Sequence, residues 1–362
     1  MAGEIVGQSP LKIWSLTSAQ RLQRQLRRVG ATAATAGAEL VILLRADWVY
    51  DEPLVQGLAR QRAPCSMWTD AGQCVAMVVG PSRLEPARQL LATGQAPPDL
   101  QRLAPEQVAG SYNNKLRKRE PPFLLPLTTD RLHAIEARVF SGSYKGVTDF
   151  VTLYLWPRPA RACTGVCARL GITPNMVTSA SLVLVLLAMW AFWHGQFGWG
   201  LAAAWGMTFL DTVDGKLARV TLNSSKFGDV FDHSIDLVHP PFWWWAWVVG
   251  LATAGLALPA ESIALTVIII GYIAQRAEEG LFQLVFKVNP HMWQRFDSWF
   301  RLITARRNPN LAILTVAALL GRPDWGMNVV AVWVVICILV HAVRFVQGGI
   351  ARRHGPLQSW LM

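Results

Sequence analysis

Beyond about residue 176 the chain consists of apolar windows that are long enough to be membrane-spanning helices. A hydrocarbon layer of ~30 Å requires about 20 helical residues. Six windows reach or approach that length, with the fifth marginal: roughly 176–194, 198–220, 226–252, 261–287, 308–322 and 326–347. The whole chain has 362 residues, 52% of them hydrophobic, and a mean hydropathy of +0.28. We therefore predict a polytopic α-helical membrane protein with six transmembrane helices.

Basic residues concentrate in alternate connections between these windows. Lys and Arg occur in 218–226, 287–310 and the tail 351–362, whereas 194–198, 253–262 and 321–325 carry hardly any. The positive-inside rule then places both termini in the cytoplasm, which agrees with an even number of spans. We expect an integral, multi-pass protein of the bacterial inner (cell) membrane, with the tryptophan cluster "PPFWWWAWVV" (240–249) forming a belt at the lipid.

The overall charge and the cysteines exclude other classes of protein. A formal net charge of +11 would suit nucleic acid, but no zinc-finger, RNP-like or lysine-rich tract accompanies it. We therefore expect no nucleic-acid partner. The five cysteines include no Cys-x2-Cys pair, so neither a disulfide framework nor a zinc site is indicated.

Residues 1–137 follow a different pattern. "AQRLQRQLRRVGA" (19–31) has the spacing of an amphipathic helix, "AELVILLRADWVY" (38–50) that of a buried strand ending in a polar turn, and "CVAMVVG" (74–80) that of a second strand. Strands that alternate with helices predict a cytosolic three-layer α/β domain. We expect 138–175 to be a linker with an interfacial amphipathic helix, 176–350 to be the six-helix membrane domain, and 351–362 to be a cytosolic tail.

The stretch "FLDTVDGKLARVTLNSSKFGDVFDHSID" (209–236) places five aspartates between apolar segments. Asp211 and Asp214 are three residues apart and Asp232 and Asp236 are four apart, so each pair lies on one face of a helix. Unpaired carboxylates converging there would cost several kcal/mol each by rough estimate. Hard oxygen ligands suit Mg²⁺ or Mn²⁺, and room for two such ions would make a phosphoryl-transfer centre.

The residues beside these aspartates suit a bound nucleotide. Gly215 and Gly228 lack side chains and would let a ligand approach the backbone, while Ala218 keeps the helix face narrow. Arg219 supplies a fixed positive charge for phosphate. A cation- or proton-coupled transporter would also place carboxylates within spans, but it gives no reason for Arg219 and the paired glycines.

The full pattern, Asp-x2-Asp-Gly-x2-Ala-Arg-x8-Gly-x3-Asp-x3-Asp, resembles the signature of the CDP-alcohol phosphotransferases, integral membrane enzymes with six transmembrane helices. Upstream, "ITPNMVT" (172–178) resembles the family's Pro-Asn-x-x-Thr motif, and the likeness covers about residues 145–350. It implies that Asp211, Asp214 and Asp232 bind two divalent cations and that Asp236 joins the second ion and acts as general base. The implied residues of the cytidine diphosphate pocket are Gly215, Ala218, Arg219 and Gly228, supported by Asn175 and Thr178.

The implied reaction transfers a substituted phosphate group from a CDP-alcohol to an acceptor hydroxyl and releases CMP, in phospholipid biosynthesis. CDP-diacylglycerol is the donor that suits a bilayer enzyme, and a soluble CDP-polyol such as CDP-inositol is the alternative. Arg276 lies in an apolar span close to Glu278 and Glu279, so it is either a contact for an alcohol or phospho-alcohol acceptor or part of a buried ion pair. Arg306 and Arg307 are either contacts for an acceptor's phosphate or topology anchors at the cytoplasmic rim. The identity of the acceptor and a homodimeric state stay open.

A second resemblance lies near the N-terminus. "LLRADWVYDEPLV" (43–55) is similar to the strand and metal-aspartate turn of sugar-nucleotide nucleotidyltransferases, a domain that some members of the same family carry ahead of the membrane part. The segment "GEIVGQSPLKIWSLTSAQR" (3–21), however, supplies no Gly-rich loop with basic residues for a triphosphate. We therefore predict that 1–137 is a degenerate nucleotidyltransferase-like domain in which Asp47 is a turn residue.

Overall fold

The computed structural model describes residues 1–32, 37–256 and 261–362, without the side chains of 261 and 262. The chain forms two compact units. Unit 1 contains Met1–Tyr144 and Ala218–Asn223, and unit 2 contains Lys145–Leu217 and Ser224–Met362. The first break therefore falls within the segment for which the sequence predicts a linker.

Unit 1 is an α/β domain built on a five-stranded mixed sheet. The strands of the whole unit, which also form three two-stranded sheets, are β1 (Ala2–Val6), β2 (Lys12–Ile13), β3 (Leu16–Thr17), β4 (Val41–Arg45), β5 (Trp48–Tyr50), β6 (Cys65–Trp68), β7 (Cys74–Val79), β8 (Gln101–Leu103), β9 (Tyr112–Asn113), β10 (Lys118–Arg119) and β11 (Leu124–Pro126). Its helices are α1 (Ser18–Arg28), α2 (Glu52–Ala59), α3 (Leu84–Ala92), α4 (Pro105–Val108) and α5 (Leu132–Gly142). The sheet order is β1-β4-β7-β6-β8, in which the two outer pairs are parallel and the two inner pairs antiparallel.

Apolar side chains of strand β4 alternate between two cores, as the pleat of a strand requires. Ile42 joins the cluster that contains Leu22 of α1 and Leu54 of α2. Leu43 joins the other cluster, which contains Leu91 of α3. Helices therefore cover both faces of the sheet, and the predicted α/β domain is confirmed.

Asp47 lies in the two-residue turn between β4 and β5. Arg45 donates to both of its carboxylate oxygens, from Nε to Oδ1 at 2.9 Å and from Nη2 to Oδ2 at 2.5 Å. The backbone carbonyl of Asp47 accepts a hydrogen bond from the Leu127 amide at 2.8 Å. The side chain and the backbone of Asp47 thus both stabilise the turn.

Two arginines of α1 contact the segment Ala218–Asn223 within unit 1. Arg21 Nη1 donates to the carbonyl of Val220 at 2.9 Å, and Arg24 Nη1 donates to the carbonyl of Thr221 at 2.6 Å. Burial lowers the pKa of Arg21 to about 10, so this guanidinium is still charged at neutral pH. Carbonyls at the end of a helix carry partial negative charge, which these cations offset.

All the regular secondary structure of unit 2 within its described residues is helical. Its helices are α6 (Pro157–Arg169), α7 (Pro174–Trp193), α8 (Phe197–Val220, whose last three residues group with unit 1), α9 (Lys226–Thr253), α10 (Glu261–Phe286), α11 (Arg295–Phe300), α12 (Arg307–Leu319) and α13 (Pro323–Arg352). Six of them coincide with the six apolar windows to within a few residues. Among the described residues, α7 and α13 are the two helices long and apolar enough to cross a membrane. By contrast, α12 has 13 residues and spans only about 20 Å.

The prediction of a tryptophan belt at the lipid is wrong for most of the cluster. Trp243, Trp244 and Trp247 are at most 1% exposed and lie in the core of unit 2, whereas Trp245 is 44% exposed. The indole N–H of Trp243 donates to the carbonyl of Val185 at 3.0 Å, and that of Trp247 donates to a carbonyl of α13 at 3.2 Å. These tryptophans can be buried because their N–H groups have partners.

Asp149, which precedes α6, holds the beginning of α12. Its carboxylate accepts hydrogen bonds from Asn308 Nδ2 at 2.9 Å and from the Thr152 hydroxyl at 2.9 Å. Burial opposes ionisation of Asp149, but the charge of Arg301 and these hydrogen bonds outweigh it and lower the pKa below its ordinary value. The ionised form therefore stabilises the fold around the first turn of α12.

We expect Asp149→Asn to lower the free energy of unfolding at pH 7 by about 1–3 kcal/mol. The new amide would place an N–H group against Asn308 Nδ2 or the Thr152 hydroxyl, both of which donate to the carboxylate. The folded pKa lies below the ordinary value of 3.8, so the contribution of the carboxylate is complete above that pH and is lost as the pH falls through the folded pKa. The difference in Tm between wild type and variant should therefore shrink below about pH 4. Thermal unfolding in detergent at pH 7 and at acid pH measures it, with the exposed Asp70→Asn as control. An equal difference at both pH values would contradict the assignment.

Candidate active site

Three aspartates from two helices meet in unit 2. Asp211 and Asp214 of α8 and Asp232 of α9 each place a carboxylate oxygen within 4.8 Å of the other two. Carboxylates this close require a cation or a shared proton between them, because two bare charges would repel.

The partners of Asp214 show that the cluster fits a divalent cation. Its Oδ2 accepts a hydrogen bond from the Thr178 hydroxyl of α7 at 2.6 Å. Its Oδ1 is buried and has no hydrogen-bond partner among the described residues. A buried oxygen without a partner needs a ligand, and a hard cation such as Mg²⁺ or Mn²⁺ prefers such oxygens. Asp211, Asp214 and Asp232 therefore form a cluster that could hold a metal ion.

Asp236 lies one helical turn beyond Asp232 and outside this three-carboxylate group. Its side chain is 41% exposed, compared with 18% for Asp211. Arg307, the first residue of α12, joins the two: Nη2 donates to Asp211 Oδ2 at 2.5 Å, and Nη1 donates to Asp236 Oδ1. In this structure Arg307 is thus a partner of the aspartates, a contact that the sequence does not reveal.

Asn175 and Gly228 lie against each other beside the aspartates. A Cβ placed on Gly228 would come within 2.5 Å of Asn175 Oδ1 and 3.1 Å of Ser225 Oγ. Ser225 caps α9 and accepts a hydrogen bond from the Gly228 amide at 2.9 Å. Glycine is therefore required for Asn175 to reach the backbone of the first turn of α9.

The other residues of the predicted nucleotide pocket follow the aspartates along α8. Gly215, Ala218 and Arg219 are all half-buried. Ala218 and Arg219 belong to the segment that groups with unit 1.

Arg276 and Arg306 share a single carboxylate, that of Glu279. Arg306 Nη2 donates to both Glu279 oxygens, and Arg276 Nη1 lies 3.5 Å from Oε2. His291 Nε2 lies 3.2 Å from Glu279 Oε1. Burial lowers the pKa of His291 to about 3 even beside this carboxylate, so its ring is neutral at pH 7. Two arginines and one glutamate leave this cluster with one net positive charge.

Comparisons with known proteins match the region that contains the aspartates. Residues 171–292 match the family model "CDP-alcohol phosphatidyltransferase". The chain is 46% identical over 70 residues, 19% of its own length, to the archaetidylinositol phosphate synthase of Pyrococcus horikoshii, of which this covers 37%. It is 29% identical over 216 residues, 56% of its own length, to the phosphatidylinositol phosphate synthase of Mycolicibacterium smegmatis, of which this covers 93%.

A third relative is the bifunctional IPC transferase and DIPP synthase of Rubrobacter xylanophilus, 30% identical over 156 residues, which are 42% of this chain and 32% of that protein. The match thus spans about a third of two of these relatives and nearly all of the mycobacterial one. Residues 171–292 therefore match the CDP-alcohol phosphatidyltransferase family, as the aspartate motif predicts.

We expect Gly228→Ala to reduce turnover at least tenfold, because the added methyl group must displace Asn175 or the cap of α9. The matched control is Gly349→Ala, at a helical glycine with no atom near the position of its Cβ. That variant should keep its turnover and gain up to ~1 kcal/mol of stability from helix propensity. Steady-state kinetics and thermal unfolding of both variants give the comparison. Equal turnover in the two would show that the contact between Gly228 and Asn175 is unimportant.

Proposed function

We propose that the chain is a membrane enzyme that transfers a substituted phosphate group from a CDP-alcohol to an acceptor hydroxyl, with release of CMP, in phospholipid biosynthesis. The convergence of Asp211, Asp214 and Asp232 within the region that matches the family carries this proposal. CDP-diacylglycerol is the proposed donor, since α7 and α13 are apolar enough to lie in lipid. The names of two relatives make inositol phosphate the first acceptor to test.

Asp211, Asp214 and Asp232 would hold the divalent cations, and Asp236 would join the second one. Cations held there would neutralise the negative charge of the donor's pyrophosphate and of the departing CMP. Asn175 and Thr178 of α7 and Gly228 of α9 would support the nucleotide, together with Gly215, Ala218 and Arg219 along α8.

Asp236 is the proposed general base. Its exposed fraction of 41% makes it the more accessible of the two aspartates that Arg307 binds. Its carboxylate would accept the proton of the acceptor hydroxyl as that oxygen attacks the β-phosphorus of the donor. The bond between this phosphorus and the bridging oxygen breaks, and CMP leaves with that oxygen. No covalent enzyme intermediate is needed.

The cluster around Glu279 is the proposed contact for an anionic acceptor. Arg276 and Arg306 share one carboxylate, so one positive charge is left for an acceptor phosphate to neutralise. Arg307 is the third candidate contact, although its guanidinium binds Asp211 and Asp236 in this structure.

The agreement of six helices with six apolar windows supports six crossings. The basic residues in alternate connections support cytoplasmic termini and an inner-membrane location. A homodimer is compatible with this arrangement. The pairing of Asp47 with Arg45 supports a degenerate nucleotidyltransferase-like role for residues 1–137.

Release of CMP tests the proposed function directly. Purified protein should release CMP from CDP-diacylglycerol when inositol phosphate and Mg²⁺ or Mn²⁺ are present, and excess chelator should abolish the release until the cation is restored. CDP-inositol offered in place of the lipid donor tests the alternative. A transporter would show ion flux without CMP, and full activity in excess chelator would exclude the metal-dependent mechanism.

Two substitutions separate proton transfer from donor binding. Asp236→Asn keeps the size of the side chain but cannot accept a proton at neutral pH, so turnover should fall about 10²–10⁴-fold while the cytidine nucleotide still binds. Asp211→Asn removes an oxygen of the three-carboxylate group, so nucleotide affinity should fall together with turnover. Calorimetric binding of CDP in the presence of Mg²⁺, measured beside turnover, gives the test. An equal loss of binding in both variants would show that Asp236 serves only as a metal ligand.

A further inference from the structure

Arg307 occupies an unusual position for a residue at the beginning of a helix. Its guanidinium is bonded to Asp211 at 2.5 Å and also to Asp236, and its side chain is only 15% exposed. Its Nε is buried and has no hydrogen-bond partner among the described residues. Within the described part of the chain, this guanidinium therefore donates to oxygen atoms of the two aspartates.

The backbone at Arg307 is held from outside the aspartate motif. The next residue, Asn308, is buried and donates to the carboxylate of Asp149 at 2.9 Å. The amide of Phe150 also donates to the carbonyl of Leu302 at 3.1 Å. These contacts hold the first turn of α12, so the backbone of Arg307 is placed where its guanidinium reaches the carboxylates.

Asp211 belongs to both arrangements. It is one of the three carboxylates that lie within 4.8 Å of one another, and its Oδ2 accepts from Arg307. A cation held by Asp211 would therefore lie close to a fixed positive charge. Like charges in a poorly solvated site repel strongly, so the guanidinium and the cation compete for Asp211 and, for a second cation, for Asp236 as well.

We propose that Arg307 is a built-in counter-cation of the aspartate cluster. It neutralises Asp211 and Asp236 before divalent cations bind, it weakens the binding of those cations, and it withdraws from at least one carboxylate when the site is loaded. This proposal rests on the proposed function only for the identity of the cations. It assigns to Arg307 a role toward the metal site in addition to its candidacy as a contact for the acceptor.

The test measures cation binding and not turnover. The full-length protein in detergent, freed of cations with chelator, is titrated with Mn²⁺ in a calorimeter, and its Tm is recorded with and without Mn²⁺. Arg307→Gln should bind Mn²⁺ at least about tenfold more tightly than wild type, because the site loses a competing positive charge. Its Tm without Mn²⁺ should fall below that of wild type, and Mn²⁺ should raise it by more than it raises the wild-type value.

The matched control is Arg306→Gln, the adjacent residue, whose guanidinium binds Glu279 and not the aspartates. Its affinity for Mn²⁺ should stay within about twofold of wild type, as expected for a charge outside the site. Arg307→Lys serves if the glutamine variant does not fold. One ammonium group cannot bridge the two carboxylates as a guanidinium does, so this variant too should bind Mn²⁺ more tightly than wild type.

Any of three results would overturn the proposal. Unchanged Mn²⁺ affinity in both Arg307 variants would refute the competition. Weaker Mn²⁺ binding would show that Arg307 instead organises the ligands for the ion. Absence of Mn²⁺ binding by the wild-type protein and by every variant would refute the metal site itself, and with it the proposed function.

Discussion

Repulsion among the aspartates of α8 and α9 is the constraint on which unit 2 depends. Removing several carboxylates from water and placing them close together is unfavourable unless each has a partner. The structure supplies partners from two other helices, because Thr178 of α7 donates to Asp214 and Arg307 of α12 binds Asp211 and Asp236. Helices that are far apart in the sequence must therefore pack in one arrangement for the motif to be tolerated. The same arrangement leaves Asp214 Oδ1 without a partner within the described residues, at the point where a cation would complete the cluster.

The first turn of α12 connects this cluster to a second one of opposite charge. Arg306 and Arg307 are adjacent, yet Arg306 binds Glu279 of α10 while Arg307 binds the aspartates. One cluster has an excess of carboxylates and the other an excess of guanidinium groups. Asp149 holds the turn between them through Asn308. A displacement of this turn would alter both clusters together, so their spacing is a property of the fold and not of two independent loops.

Local patterns in the sequence were sufficient for the helices and for the convergence of three aspartates, because both follow from periodicity along one or two helices. They were insufficient for contacts between distant segments. The pair Asp149–Asn308 joins residues 159 positions apart, and the contact of Arg307 with Asp211 spans 96. The prediction that the tryptophan cluster faces lipid is wrong for a related reason. A lipid-facing helix and a buried helix are both apolar, and only the partners of the indole N–H groups, such as the carbonyl of Val185, distinguish them.

Selection of the acceptor must depend on residues other than the aspartates. A carboxylate that accepts a proton will activate any hydroxyl placed next to it, so the motif that performs the chemistry cannot choose between alcohols. Charge can make that choice. The cluster of Arg276, Arg306 and Glu279 keeps one positive charge, and His291 adds none at neutral pH because it is buried and neutral. As the proposed contact for an anionic acceptor, such a cluster would favour an acceptor that carries a phosphate over a neutral alcohol, through long-range attraction and direct pairing. Glu279 would then set the strength of that preference, because its pairing with Arg276 and Arg306 decides how much of their charge is left for the acceptor.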